Sequence, residues 1–314
     1  MGQVIRKIAL SLALVALAWP LLAAAPAQAG STRTWVSGAT TADDMNPCSR
    51  TAPCKTFAGA LANTLPGGEI NCLDPGDFGS VTITFSLTIS CEVGTAGIQP
   101  QSEGLGITID AAATDVVVLR GLDIDGQGPA NLGINIVQAK EVHIEKCSIR
   151  NFRRAGGNGV AIYVFPSSTT FLYVTDAVIS DSGVGVVLSG TGGYKIASLK
   201  NVMITGSVSD GLSLSSTNSY ANVTDSIISG NHGTAVIAFV SSATANIDRS
   251  TIANNGTGLH AGNGSTIRAS GNNIYNNTFG IQIVNGGTVQ SDGTNKHGNS
   301  NGGAQVPNAS FAEY

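Results

Sequence analysis

The chain has 314 residues, only 11% of them charged, with 40 glycines and a formal net charge of −4. An acidic balance with so few basic residues argues against a nucleic-acid partner. Abundant Gly, Ser, Thr and Asn among regularly placed β-branched residues exclude a helical bundle and point to short strands separated by tight turns.

Residues 1–29 read as a signal peptide: Arg6 and Lys7 precede an apolar run over residues 8–22, and Ala27-Gln28-Ala29 supplies a small-residue cleavage site. Its removal leaves 14 Lys and Arg against 20 Asp and Glu, a net charge of −6. No later stretch is long and apolar enough to span a bilayer after cleavage, so the mature protein is expected to be secreted or periplasmic. Exported cysteines predict disulfides. Cys48 and Cys54 would close a short loop, Cys72 and Cys91 would tie neighbouring strands, and Cys147 is left single, more naturally a partly buried turn thiol than a reactive one.

From residue 66 onward the chain repeats. Ile124, Ile149, Ile179, Ile204, Ile228, Ile252 and Ile274 follow one another at spacings of 25, 30, 25, 24, 24 and 22. Five residues before each stands Leu119, Ile144, Val174, Leu199, Val223, Ile247 or Ala269. A third element follows, led by Gly133, Gly159, Gly185, Gly211, Gly258 and Gly280, with Ala235 once in the glycine's place. Alternating apolar residues divided by Gly, Asn, Asp and Ser clusters make about three short strands per repeat. One repeat cannot exclude water from its own apolar row, so the repeats must stack, and equivalent residues become columns.

The Gly-apolar-x-apolar strand and the apolar-x-x-Asn-x-Ile turn resemble those of the right-handed parallel β-helix proteins of the pectate-lyase-like superfamily, over roughly residues 66–300. The resemblance implies an all-β, right-handed parallel β-helix solenoid of about nine to ten coils. The opening Arg33-Thr-Trp-Val-Ser-Gly and the stretch from Ala52 to Leu61 are similar to the N-terminal lead-in of that family, which forms a first strand and a capping helix; residues 55–64 have helical spacing in Phe57, Ala60 and Leu61. The expected organisation is a signal peptide (1–29), an N-terminal strand and short capping helix (30–65), the β-helix (66–300) and a C-terminal tail (301–314).

In the active lyases of this superfamily the resemblance implies acidic residues that hold Ca²⁺ beside a basic residue. The outward column of the Gly-led strand reads Asn135, Ala161, Val187, Ser213, Ile237, His260, Gln282, and the next reads Val137, Tyr163, Ser189, Ser215, Phe239, Gly262, Val284. Neither holds a carboxylate. The paired-carboxylate signatures of the related hydrolases are missing too. No catalytic residue is assigned, no metal ligand is expected among His143, His232, His260 and His297, and no cofactor is expected, with Ca²⁺ entering only if the protein is a lyase.

Asp123 and Asp125 share a face with Arg150 opposite in the next coil, an ion pair rather than a catalytic pair. The turn residues Lys146, Asp176, Asn201, Asp225 and Arg249 read as a charge-balanced ladder. The longest repeat swells into Arg150-Asn-Phe-Arg-Arg-Ala-Gly-Gly-Asn-Gly159, placing Arg153 and Arg154 on a loop near Tyr163. With Phe239 and His260 these are the candidate ligand contacts. An outward row of Phe171, Ile196 and Tyr220 on a neighbouring sheet is expected to be covered by the C-terminal segment. The function expected is non-catalytic binding of extracellular or cell-surface polysaccharide; the alternatives are a polysaccharide lyase, epimerase or glycoside hydrolase of the β-helix type, or a structural, adhesin-like surface protein.

Overall fold

A computed structural model of the chain describes residues 30–312, apart from 93, 102, 155 and 299–304. The expected signal peptide, residues 1–29, therefore lies outside the described residues. Three parallel sheets of 12, 10 and 9 strands are hereafter called sheets I, II and III, and each coil visits them in that order. Among the described residues nine coils carry a strand in all three sheets.

Strand formation follows the two-residue period. In Glu141–Glu145 of sheet I, Val142 and Ile144 point into the stack while Glu141, His143 and Glu145 point out. The neighbouring coils repeat the pattern in register, so Leu119, Ile144, Val174, Leu199, Val223, Ile247 and Ala269 form one buried column. Sheet II stacks Ile124, Ile149, Ile179, Ile204, Ile228, Ile252 and Ile274 in the same way. Both expected columns are present, and together with the inner residues of sheet III they make one continuous core.

The expected glycine column of sheet III is one residue type too strict. Ile134 pairs with Ile162, and Ile162 with Val186, so Ala161 rather than Gly159 is the equivalent of Gly133 and Gly185. A Cβ on Gly133 would meet the Ala161 carbonyl oxygen at 2.5 Å, which shows how close the coils run. The position calls for a small residue, and alanine fills it at both Ala161 and Ala235.

The first strand, Ser31–Val36, pairs in parallel with Thr64–Cys72. Between them lies the helix α1, Phe57–Ala62, the only α-helix among the described residues. The Thr56 hydroxyl accepts the Gly59 N–H at 3.0 Å, and Phe57 packs on Phe78 with ring centroids 5.1 Å apart. Disulfides join Cys48 to Cys54 and Cys72 to Cys91. At the far end Ala309–Ser310 adds a last strand to sheet I beside Thr288–Ser291, and Asn308 Oδ1 accepts the Val289 N–H at 2.9 Å. These tail residues thus close the last coil rather than covering the row of Phe171, Ile196 and Tyr220, because the unpaired backbone edge there offers hydrogen bonds that the row's side chains cannot.

Candidate saccharide-binding face

The register of sheet III decides what its outer surface presents. Asn135 pairs with Tyr163, Tyr163 with Val187, and the column continues through Ser213, Ile237, His260 and Gln282. Ala161, expected in this column, is instead fully buried. The two-residue displacement follows from the swollen loop before the strand. It moves Tyr163 into the first outward column and puts Phe165, which the sequence reading left unassigned, into the second.

Tyr163 and Phe165 stand two residues apart on one strand, their rings 5.8 Å apart and inclined by 14°. Three coils further along, Phe239 meets His260 edge-on with ring centroids 5.3 Å apart. Glycine at 262 makes room for this: a Cβ there would lie 2.5 Å from the Phe239 ring. Between the two aromatic pairs the floor is Val187 and Ser189 in one coil and Ser213 and Ser215 in the next, all partly or fully exposed. At about 4.8 Å per coil, the pairs stand roughly 14 Å apart along the solenoid. The column from Asn135 to Gln282 contains no carboxylate.

His260 is half-buried; desolvation pushes its pKa below the ordinary histidine value, with Asp210 opposing the shift. Its Nε2 is buried without a hydrogen-bond partner among the described residues. At neutral pH the ring is an uncharged surface for stacking.

The long loop commits one of its two arginines to the neighbouring coil. Arg153 is tied to the following coil, donating from Nε to the Asp181 carbonyl at 2.9 Å and from Nη2 to Asp181 Oδ1 at 3.2 Å. Arg154, at φ 35°, is exposed and has no ionic partner among the described residues. Gly157 approaches Val208, so the loop lies back over the next two turns.

The other expected clusters resolve as structural pairs. Arg150 bridges Asp123 and Asp125, with Nη2 at 3.0 Å from Asp123 Oδ2 and 3.2 Å from Asp125 Oδ2. Burial alone would raise the Asp125 carboxyl, but hydrogen bonds from Asn151 and Gln127 and the Arg150 charge hold it below its ordinary value. In the turn ladder Asn201 donates to Asp176 at 2.6 Å and Arg249 to Asp225 at 2.9 Å. Cys147 is buried, and desolvation pushes its thiol up to about 11, which makes it a poor nucleophile. Among the described residues no group of three or more His, Cys, Asp and Glu gathers as a metal site, and no helix is long and apolar enough to cross a membrane.

A second aromatic surface lies on sheet I. Phe171, Ile196 and Tyr220 form the expected outward row. Tyr194 adds to it, its ring 6.0 Å from that of Tyr220, and His143 stacks on Tyr173 at 4.8 Å in the next column.

Comparison with known proteins agrees with this geometry. A family profile described as the right handed beta helix region matches residues 160–313. No curated protein sequence shows significant similarity to the chain. Among solved structures, the crystal structure of pectate lyase Pel9A superimposes with a TM-score of 0.54 at 14% identity, covering 91% of this chain and 80% of that one. DFA-IIIase from Arthrobacter chlorophenolicus A6 in complex with GF2 matches at a TM-score of 0.38 and 11% identity, over 74% of this chain and 83% of that one, too loosely to support inference. Residues 160–313 thus match a right-handed β-helix profile, and the chain as described has the right-handed parallel β-helix fold that the lyase also has. At these identities the likeness extends to the fold alone.

Proposed function

We propose that the protein binds a polysaccharide along the outer face of sheet III and does not cleave it. The observation that carries this reading is the stretch of outer face bounded by Tyr163–Phe165 and Phe239–His260, with small, mostly hydroxyl side chains between them. Aromatic faces receive the apolar faces of sugar rings, and serine hydroxyls exchange hydrogen bonds with sugar hydroxyls. A rigid parallel sheet holds both without an ordering cost at binding. The carboxylate-free column speaks against a Ca²⁺-dependent elimination or a two-carboxylate hydrolysis there. Arg154, uncommitted at the loop, favours a glycan bearing carboxylate or sulfate groups.

The ligand is extracellular or cell-surface polysaccharide, in keeping with export by the N-terminal signal and with two disulfides, which persist in oxidising compartments. A glycan array with the mature protein, followed by titration of the best ligand, tests the reading. Phe165→Ala and Phe239→Ala should each weaken binding about tenfold or more without changing the fold, and Arg154→Ala should weaken binding of anionic glycans only. Binding unchanged in both aromatic variants would remove sheet III from consideration. The same glycans, incubated with and without Ca²⁺, should show no unsaturated product by absorbance; such product would establish a lyase instead. A protein that ignores every saccharide would be of the structural or adhesin-like kind.

A further inference from the structure

Lys195 opens its sheet I strand, Lys195–Lys200, in a buried column whose neighbours are Thr170 and Ser219. The side chain turns inward and is fully buried. No carboxylate pairs with it among the described residues. Its ammonium instead faces four backbone carbonyls: Gly190 at 2.9 Å, Gly192 at 2.7 Å, Gly193 at 3.1 Å and Thr217 at 3.3 Å. Three of these come from the glycine-rich turn between sheets III and I, where Gly190 and Gly193 hold φ at 100° and 25°. A side chain would be excluded at Gly192, since its Cβ would meet the Ser167 carbonyl oxygen of the preceding coil at 2.1 Å.

Converging carbonyl oxygens without a counter-anion replace the hydration shell of a monovalent cation. We infer that Gly190, Gly192, Gly193 and Thr217 form a monovalent-cation site that the chain fills with its own lysine. The class of ligand it would accept once the lysine is cut back is K⁺ or NH₄⁺, which match the ammonium in charge and size. Burial lowers the Lys195 pKa, and the carbonyl dipoles oppose that loss by favouring the charged form.

The occupied site has a place in the surface. Thr191 and Gly192 form one wall of a cavity of about 300 Å³ whose other walls are Val137, Phe165, Pro166 and Ser167. The cation therefore fixes the turn that flanks Phe165, and Tyr194, next in the chain, pairs with Tyr220. This inference concerns the turn itself and stands whether or not a glycan binds to sheet III.

Thermal unfolding of Lys195→Ala in KCl, NH₄Cl and tetramethylammonium chloride at equal ionic strength tests it. The expected result is a melting temperature below that of the parent, raised saturably by about 3 °C in KCl or NH₄Cl and unchanged in tetramethylammonium, which is too large for the cage. The parent should melt alike in all three salts, as should Lys195→Met, whose terminal methyl stands at the place of the lysine Cε and so leaves no room for a cation among the carbonyls. Equal melting of Lys195→Ala in the three salts, or the same K⁺ response in the parent, would overturn the assignment. Should Lys195→Ala be recovered unfolded, its refolding from urea replaces melting as the readout: higher yield in KCl than in tetramethylammonium chloride supports the site, and equal yield refutes it.

Discussion

In the later coils the inward positions of the turn after sheet I are Ser226, Ser250, Asn272 and the partly buried Asn295, whereas in the earlier coils they are Cys147, Ala177 and Val202. Each side chain of the later set accepts the backbone N–H of the coil before: Val202 to Ser226 at 3.1 Å, Ser226 to Ser250 at 3.1 Å, Ser250 to Asn272 at 2.9 Å and Asn272 to Asn295 at 3.0 Å. The turn after sheet II changes in the same direction, from Phe152 through Ser182 and Ser207 to Asn231, Asn255 and Asn277. The earlier coils thus fill their turns with apolar volume and add covalent ties at Cys48–Cys54 and Cys72–Cys91. The later coils are held by ladders of side-chain amides and hydroxyls. The difference teaches that one solenoid can satisfy the same geometry by packing or by hydrogen bonding, and that the hydrogen-bonded half keeps the more uniform coil length.

The comparison is broken most severely at the centre of the asparagine ladder. Asn255 accepts from the Asn231 backbone and side chain and donates to Ile228, Ala253 and Asn277. Asn255→Ala should destabilise the protein by about 4 kcal/mol, since several buried polar groups lose their partners at once, as measured by urea unfolding. A loss under 1 kcal/mol would mean that the ladder is ornamental. Next in size, Ile204→Ala should open a cavity in the shared aliphatic column at a cost of about 3 kcal/mol, and Cys72→Ser with Cys91→Ser should cost a similar amount by releasing the closed loop. If the paired serine variant proved as stable as the parent, apolar packing alone would hold the early coils.

The smallest effect is expected in the exposed turn ladder. The hydrogen bond from Arg249, with its charge, holds the Asp225 carboxyl below its ordinary range despite partial desolvation. A folded-state pKa lower than the unfolded one gives stability above the unfolded value of about 3.9, lost as pH falls through the folded value. The stability difference between the parent and Arg249→Gln should therefore be small at neutral pH and should vanish on acidification. A difference that persisted in acid would assign Arg249 a packing role.

Much of this fold could be read in the residues themselves. The isoleucines of sheet II and the aliphatic residues five places before them declare their columns because inward positions tolerate little else. The disulfide pairs follow from crowding near the start of the stack. What the sequence hid is equally instructive. Gly159 attracted the glycine-led pattern, but the position requires smallness rather than glycine, and Ala161 meets that need; the resulting slip of two residues concealed the Tyr163–Phe165 pair. Arg153 and Asp181 meet only because the swollen loop folds over the following coil, a contact that no local pattern announces. Nothing in the local pattern singled out Lys195, because its burial depends on the glycine turn that closes on it.

Cysteine cross-linking across the floor of sheet III tests the central claim most directly. Val187 and Ser213 are partners in adjacent coils, side by side on the outer face, whereas Leu212 points into the core. Neighbouring parallel strands stand about 4.8 Å apart, within disulfide reach. Oxidation of the Val187→Cys, Ser213→Cys protein should give a near-quantitative intramolecular disulfide, while Val187→Cys with Leu212→Cys should give none. Equal cross-linking of the two pairs, or cross-linking only of the second, would contradict the stacking on which the columns and the proposed binding face both depend.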